Sequence, residues 1–189
     1  MRKIAIGLAL LLLTQSAYAF TPNTTPLTSS EKNIETMGTG IAIALPIAAA
    51  GIAWAKNDTR VGWAQLFAET ALTVGTAYGL KQIVHEGRPN GKGDNSFPSD
   101  TTALAASGSS FLWGRYGWQY GLPATALTGF VAYSRVQARD HRWTDTLASI
   151  GISAIYGYIV TTPFQRRYNI RTEITPMQGG AYISLAYNW

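Results

Sequence analysis

The sequence predicts an all-α fold, a bundle of about five helices followed by a short C-terminal β-hairpin. Three observations predict it. Apolar stretches rich in Ala, Leu, Ile and Gly follow one another from residue 31 to about residue 162, parted only by short polar or glycine-containing turns. Alternation of apolar and polar residues is confined to the end of the chain. The 189 residues, 47% of them hydrophobic, suit one domain around one core.

The first nineteen residues read as a cleaved secretory signal, with basic Arg2 and Lys3, an apolar run from Ile4 to Leu13, and small Ala17 and Ala19 at the expected cleavage point. The run is about half the length that a spanning helix needs. Residues 20–30, FTPNTTPLTSS, form an exposed leader with Ser30 placed to cap the first helix. Helices are expected at about 31–55, 61–87, 100–115, 118–137 and 141–162, within a domain running from 31 to 165. The tail, 166–189, is expected as the hairpin: Ile170, Thr172 and Ile174 share one face, Ala181, Ile183, Leu185, Tyr187 and Trp189 another, and PMQGG supplies the turn. Two strands are marginal alone, so their apolar side needs the helices, lipid or another chain to lie on.

Composition narrows the function. Losing Arg2 and Lys3 with the signal takes the fifteen basic residues to thirteen against ten acidic ones, too mild an excess for a nucleic-acid partner. The chain has no Cys and only two His, which argues against disulfides, thiolate metal sites or a His-rich metal centre, and no metal or cofactor is expected. Residues 37–55 and 146–162 are uncharged and near spanning length, so a membrane is an expected partner, with a soluble periplasmic bundle as the alternative.

Three polar stretches interrupt the apolar pattern, and each suits an oxyanion. In KQIVHEGRP, Lys81, His85 and Arg88 fall at i, i+4 and i+7, one stripe of a helix that Pro89 stops; two cations and an imidazole there want an anion or open solvent. In SFPSDTTALA, Ser99 precedes a helix start near Asp100 or Thr101, where free N–H groups and a hydroxyl either meet phosphate oxygens or make an ordinary cap. In SRVQARDHRWTDT, Arg135 ends one helix, His141 opens the next, and Asp145 lies four residues on, placed to accept one imidazole N–H and leave the other nitrogen free to attack.

Together, Lys81 with six residues before Arg88-Pro89, Pro98-Ser99, and Ser134-Arg135 with five residues before His141 and three more before Asp145 resemble the three-part signature of the type 2 phosphatidic acid phosphatase (PAP2) and vanadium haloperoxidase superfamily. The resemblance implies a helical bundle with a metal-independent phosphatase site. It assigns phosphate binding to Lys81, Arg88, Ser99 and Arg135, covalent attack to His141 and its orientation to Asp145. The sequence departs from the pattern at one place: Asp100-Thr101 stands where the family has Gly-His, so the cradle keeps the Asp100 and Thr101 backbone but lacks the family's proton donor. General acid help of that kind contributes about 10²–10⁴ in rate. His85, on the same expected stripe as Lys81 and Arg88, is the candidate replacement, and a diphosphate substrate needs less help.

The expected function is removal of a terminal phosphate from a lipid-linked phosphate or diphosphate outside the cytoplasmic membrane. The alternatives are a soluble periplasmic acid phosphatase and a PAP2-like binding or structural protein that has lost its acid. Halide oxidation at a vanadate-loaded site is a minor option for so short a chain.

Overall fold

The computed structural model describes residues 21–164, together with the backbone of 170–177 and 180–187. The expected signal segment 1–19 lies outside the described residues. Residues 21–28 are extended, and five helices follow among the described residues: α1 (Ser29–Ala55), α2 (Val61–Lys81), α3 (Asp100–Tyr116), α4 (Trp118–Gln137) and α5 (Trp143–Val160). The all-α expectation holds for this part of the chain.

Beyond shifts of one or two residues at the end of α3 and at both ends of α5, which starts at Trp143 rather than at His141, two helix boundaries differ from expectation for identifiable reasons. α1 starts two residues early because Thr28, not Ser30, is its cap: Thr28 Oγ1 accepts from Glu31 N, and the Glu31 carboxylate accepts in return from Thr28 N at 2.7 Å. α2 stops at Lys81 rather than 87. Pro89 disfavours helix in the residue before it, and the chain from 84 onward pairs with the following loop instead, Arg88 N with Gly93 O at 3.0 Å and Ser96 N with Glu86 O at 2.9 Å. His85 is therefore not on a helical stripe with Lys81 and Arg88. It lies exposed in an extended segment, with no described hydrogen bond or ion pair.

α3 is central and touches all four other helices. Cross-links give the directions. Glu69 of α2 meets Ser110 of α3 and Lys81 meets Asp100, so α2 and α3 are antiparallel; Ser109 meets Thr125 and Ala105 meets Thr128, so α3 and α4 are antiparallel. Ser99 and Ser110 of α3 meet Ser149 and Ser153 of α5, so those two run parallel. One end of the bundle consequently collects the starts of α3 and α5 and the ends of α2 and α4.

The interior is made of small and hydroxylated side chains. Ala42, Leu45, Ala49, Ala105, Phe111, Ala124 and Val131 form its apolar part, while Thr73, Ser107, Thr128, Ser134, Ser149 and Ser153 are as deeply buried. Close backbone approach demands such residues: a Cβ on Gly108 would stand 2.8 Å from Pro46 N, where α3 crosses α1. Many large apolar residues are instead outside, with Ile47, Trp54, Phe67, Tyr78, Leu122, Leu147 and Tyr158 all exposed, Tyr158 by 90%.

Candidate active site

The site lies at the end of the bundle where α2 and α4 finish and α3 and α5 begin. Ser99 caps α3, its Oγ accepting from Thr102 N at 3.3 Å, and it is tied to α5 through Ser99 N to Asp145 O at 3.2 Å and Ser149 Oγ to Ser99 O at 2.7 Å. The second and third polar stretches are thus one unit. Ser99 is fully buried and Asp100 is half exposed. Thr101 sits in the first turn, its N–H bonded to Asp100 Oδ1 at 3.0 Å.

Lys81 and Arg88 meet without a helix between them. Lys81 Nζ donates to Asn95 O at 2.8 Å and Arg88 Nε to Asn95 Oδ1 at 2.9 Å, so one loop residue gathers both cations. Lys81 is 6% exposed, and burial lowers its pKa, Arg88 adding to that effect while Asp100 and Asp145 oppose it. An entering anion would relieve it.

Arg135 and His141 are brought together by a turn in which Asp140 N and His141 N both donate to Arg135 O, at 3.1 and 3.4 Å, and Arg139 adopts a positive φ of 58°. Arg135 is buried; its Nη2 donates to Glu35 O of α1 and its Nε to Ser134 Oγ at 3.3 Å. Asp140 stands between the two arginines, 3.8 Å from Nη1 of each.

The imidazole is oriented differently from the sequence expectation. His141 Nδ1 lies 2.7 Å from Ser96 O, whereas the Asp145 carboxylate is 3.7 Å away. A carbonyl can only accept, so Nδ1 carries a proton, and in the neutral ring the free lone pair is on Nε2. No partner is described for Nε2. Asp145 acts one step back: it accepts from Ser96 Oγ at 2.6 Å and from Arg142 N at 2.8 Å, fixing the residue whose carbonyl holds the ring. Burial pushes its carboxyl pKa up, but His141, Ser96 and the Arg142 N–H outweigh burial and leave it below the ordinary range.

The structure thus groups Lys81, Arg88, Ser99, Asp100, Arg135, His141 and Asp145, joined by direct contacts or through Asn95, Ser96 and Asp140. Those three linking residues escaped the sequence reading. Asn95 and Ser96 act through backbone carbonyls as well as side chains, which no residue pattern announces; Asp140 sits inside the quoted stretch, and its acidity beside the candidate phosphate-binding Arg135 was the available signal.

The PAP2 superfamily profile matches residues 53–169, which includes every residue of this site. The chain belongs to the PAP2 superfamily. It is a phosphatase, a hydrolase acting on phosphate esters. It is 28% identical over 160 residues to the lipid A 4'-phosphatase of Helicobacter pylori (strain J99 / ATCC 700824), an alignment covering 77% of this chain and 80% of that one. No solved structure matches the chain.

Proposed function

We propose that this PAP2 protein removes a terminal phosphate from a lipid-linked phosphate or diphosphate through a phosphohistidine on His141, without a metal. The observation that carries the reading is the His141 ring, whose Nδ1 lies 2.7 Å from Ser96 O, which supports Nε2 of the neutral ring as the nucleophile at the end of the bundle that also gathers Lys81, Arg88 and Arg135. Nε2 attacks phosphorus as the bond to the leaving oxygen breaks; water then cleaves the P–N bond, releasing inorganic phosphate and restoring the ring. Lys81, Arg88 and Arg135 carry the charge that builds on the equatorial oxygens, with the Asp100 N–H at the helix start completing the cradle and the Thr101 N–H joining it when it leaves Asp100 Oδ1.

The leaving oxygen needs a proton that Thr101 cannot supply at neutral pH. The sequence reading has His85 supply it from a helical stripe that the fold does not form, and what still supports that role is only its place in the chain between Lys81 and Arg88, both held by Asn95. A diphosphate lessens the need, because a departing phosphate is already a weak base.

A lipid substrate is supported by the printed activity of the Helicobacter relative and by the distribution of apolar surface. Small polar residues inside and large apolar ones outside invert the arrangement of a water-soluble bundle and match helices packed in lipid. α1 is long and apolar enough to cross a membrane. Exposed Trp54, Trp63, Trp113 and Trp118 mark the end away from the site, and Tyr78, Tyr133 and Trp143 the end beside it, as interfacial aromatics would. Export by residues 1–19 would place the site on the periplasmic side. The tail completes the proposal as a β-hairpin, supported by antiparallel pairing of Ile170–Met177 with Gly180–Tyr187.

The test is phosphate release from a lipid monophosphate and a lipid diphosphate by purified protein in detergent, with and without chelator, combined with rapid quenching at alkaline pH to trap phosphohistidine. Turnover in chelator with label on His141 is expected. Release that requires added metal, or no covalent label during turnover, overturns the mechanism; binding without release on any substrate would identify a protein that keeps the cradle and has lost the chemistry.

A further inference from the structure

Each guanidinium of the cradle is anchored on one edge and left facing Asp140 on the other. Arg88 is fixed through Nε to Asn95 and Arg135 through Nε and Nη2 to Ser134 and Glu35, while Nη1 of Arg88 lies 3.8 Å from Asp140 Oδ1 and Nη1 of Arg135 lies 3.8 Å from Asp140 Oδ2. The two carboxylate oxygens therefore stand to the two arginines as two oxygens of a bound phosphate would. Asn90 Nδ2 donates to Oδ1 at 2.8 Å and keeps the carboxylate in place. A separation of 3.8 Å is too long for a hydrogen bond, so Asp140 supplies charge without using up those N–H donors.

We propose that Asp140 is an internal counter-anion of the phosphate cradle, a positioning residue that holds Arg88 and Arg135 at phosphate spacing when the site is empty and weakens the hold on inorganic phosphate when it is full. The inference rests on the reading of these arginines as phosphate ligands. Without a counter-charge, two nearby guanidiniums repel and would bind the product tightly. With Asp140 between them, an arriving phosphate gains its hydrogen bonds but meets a neighbouring negative charge, which raises the dissociation constant of substrate and product alike and speeds product release. Asp100 stands 3.8 Å from Lys81 in a similar relation, but it is 52% exposed and water screens it, so its influence is smaller.

The experiment measures inorganic phosphate as a competitive inhibitor of the full chain in detergent, and its direct binding by calorimetry. Asp140→Asn is expected to bind phosphate about ten-fold more tightly. Asn90→Ala, which unpins the carboxylate, should tighten it less, Asp140→Glu should stay near the parent, and Asp100→Asn should change it least. Unchanged or weaker phosphate binding in Asp140→Asn, with Arg135→Gln losing binding, overturns the proposal and leaves the cradle intact. Arg135→Gln that still binds phosphate normally overturns the cradle reading itself. Should Asp140→Asn fail to fold, Asn90→Ala and Asp140→Ser decide the question by the same constant.

Discussion

The two ends of the bundle carry the same kinds of ions and treat them in opposite ways. At the far end, Arg115 meets Asp58 in a two-pronged bond, Nε to Oδ2 and Nη2 to Oδ1, both 2.7 Å, while Tyr116 adds its hydroxyl at 2.9 Å and Thr162 O accepts from Nη1 at 2.7 Å. Both ions are buried and their directional capacity is used. At the site end, Arg88, Arg135 and Lys81 face carboxylates at 3.8 Å, near enough for charge and too far for hydrogen bonds. A saturated pair has nothing left for a ligand, so it holds structure; an unsaturated set keeps donors in reserve, which suits the binding role proposed for it.

The contrast can be broken from either end. The largest effect is expected at His141→Ala, which should lower phosphate release by more than about 10³-fold with helical content and melting temperature retained, measured by turnover and circular dichroism. Near-normal turnover would remove the nucleophile from the scheme. Next is Arg115→Met, which leaves Asp58 buried without its partner and should cost about 3–5 kcal/mol of stability, read by denaturation, with KM unaltered in the folded fraction. A changed KM there would mean that the ends are not separable.

Asp145→Asn should reduce kcat by roughly 10²-fold with a small effect on KM, because the charge behind Ser96 is lost while the imidazole survives. Ser96→Ala should be milder, about ten-fold, since its backbone carbonyl still takes the His141 proton. A larger loss in Ser96→Ala than in Asp145→Asn would reverse the order of support. The smallest effect concerns acid. Burial raises the Asp58 pKa, but hydrogen bonds from Arg115 and Tyr116 more than offset it and hold it low. An acid lowered by folding stabilises above its unfolded pKa and loses that contribution as pH falls through the lowered value. Asp58→Asn should therefore flatten the acid limb of the stability profile, and an unchanged limb would assign acid sensitivity to Asp145, whose pKa is also lowered.

Much of this was legible because the signature residues are spaced by covalent necessity. The stretch from Arg135 to Asp145 combines a helix end, a tight turn and a helix start, all local structures, and the reading of it needed two adjustments: the second helix starts at Trp143 rather than at His141, and the Ser96 carbonyl rather than Asp145 is the direct hold on the ring. The Lys81–Arg88 stretch was read as a helical stripe and is not one. Its periodicity fitted a helix, but Pro89 and the pairing of 86–88 with 93–96 are stronger than local propensity. The cations meet because Asn95, across a loop, satisfies both. The Thr28 cap was missed for a similar reason: Ser30 is as good a capping residue, and only the return bond from Glu31 chooses between them.

α3 begins directly after its cap Ser99 and carries Arg115 one residue from its end, so one helix of 17 residues joins the candidate cradle to the far ion pair. At 1.5 Å per residue it is about 25 Å long, close to the roughly 30 Å of a hydrocarbon layer. If the bundle is seated in a bilayer as proposed, with its far ion pair at the opposite water boundary, α3 would act as a ruler that sets the depth of the candidate phosphate site at the level of the lipid head groups. Substrates would then be sorted by the height at which they display a phosphate above the acyl chains, before any contact with the rest of the molecule is made.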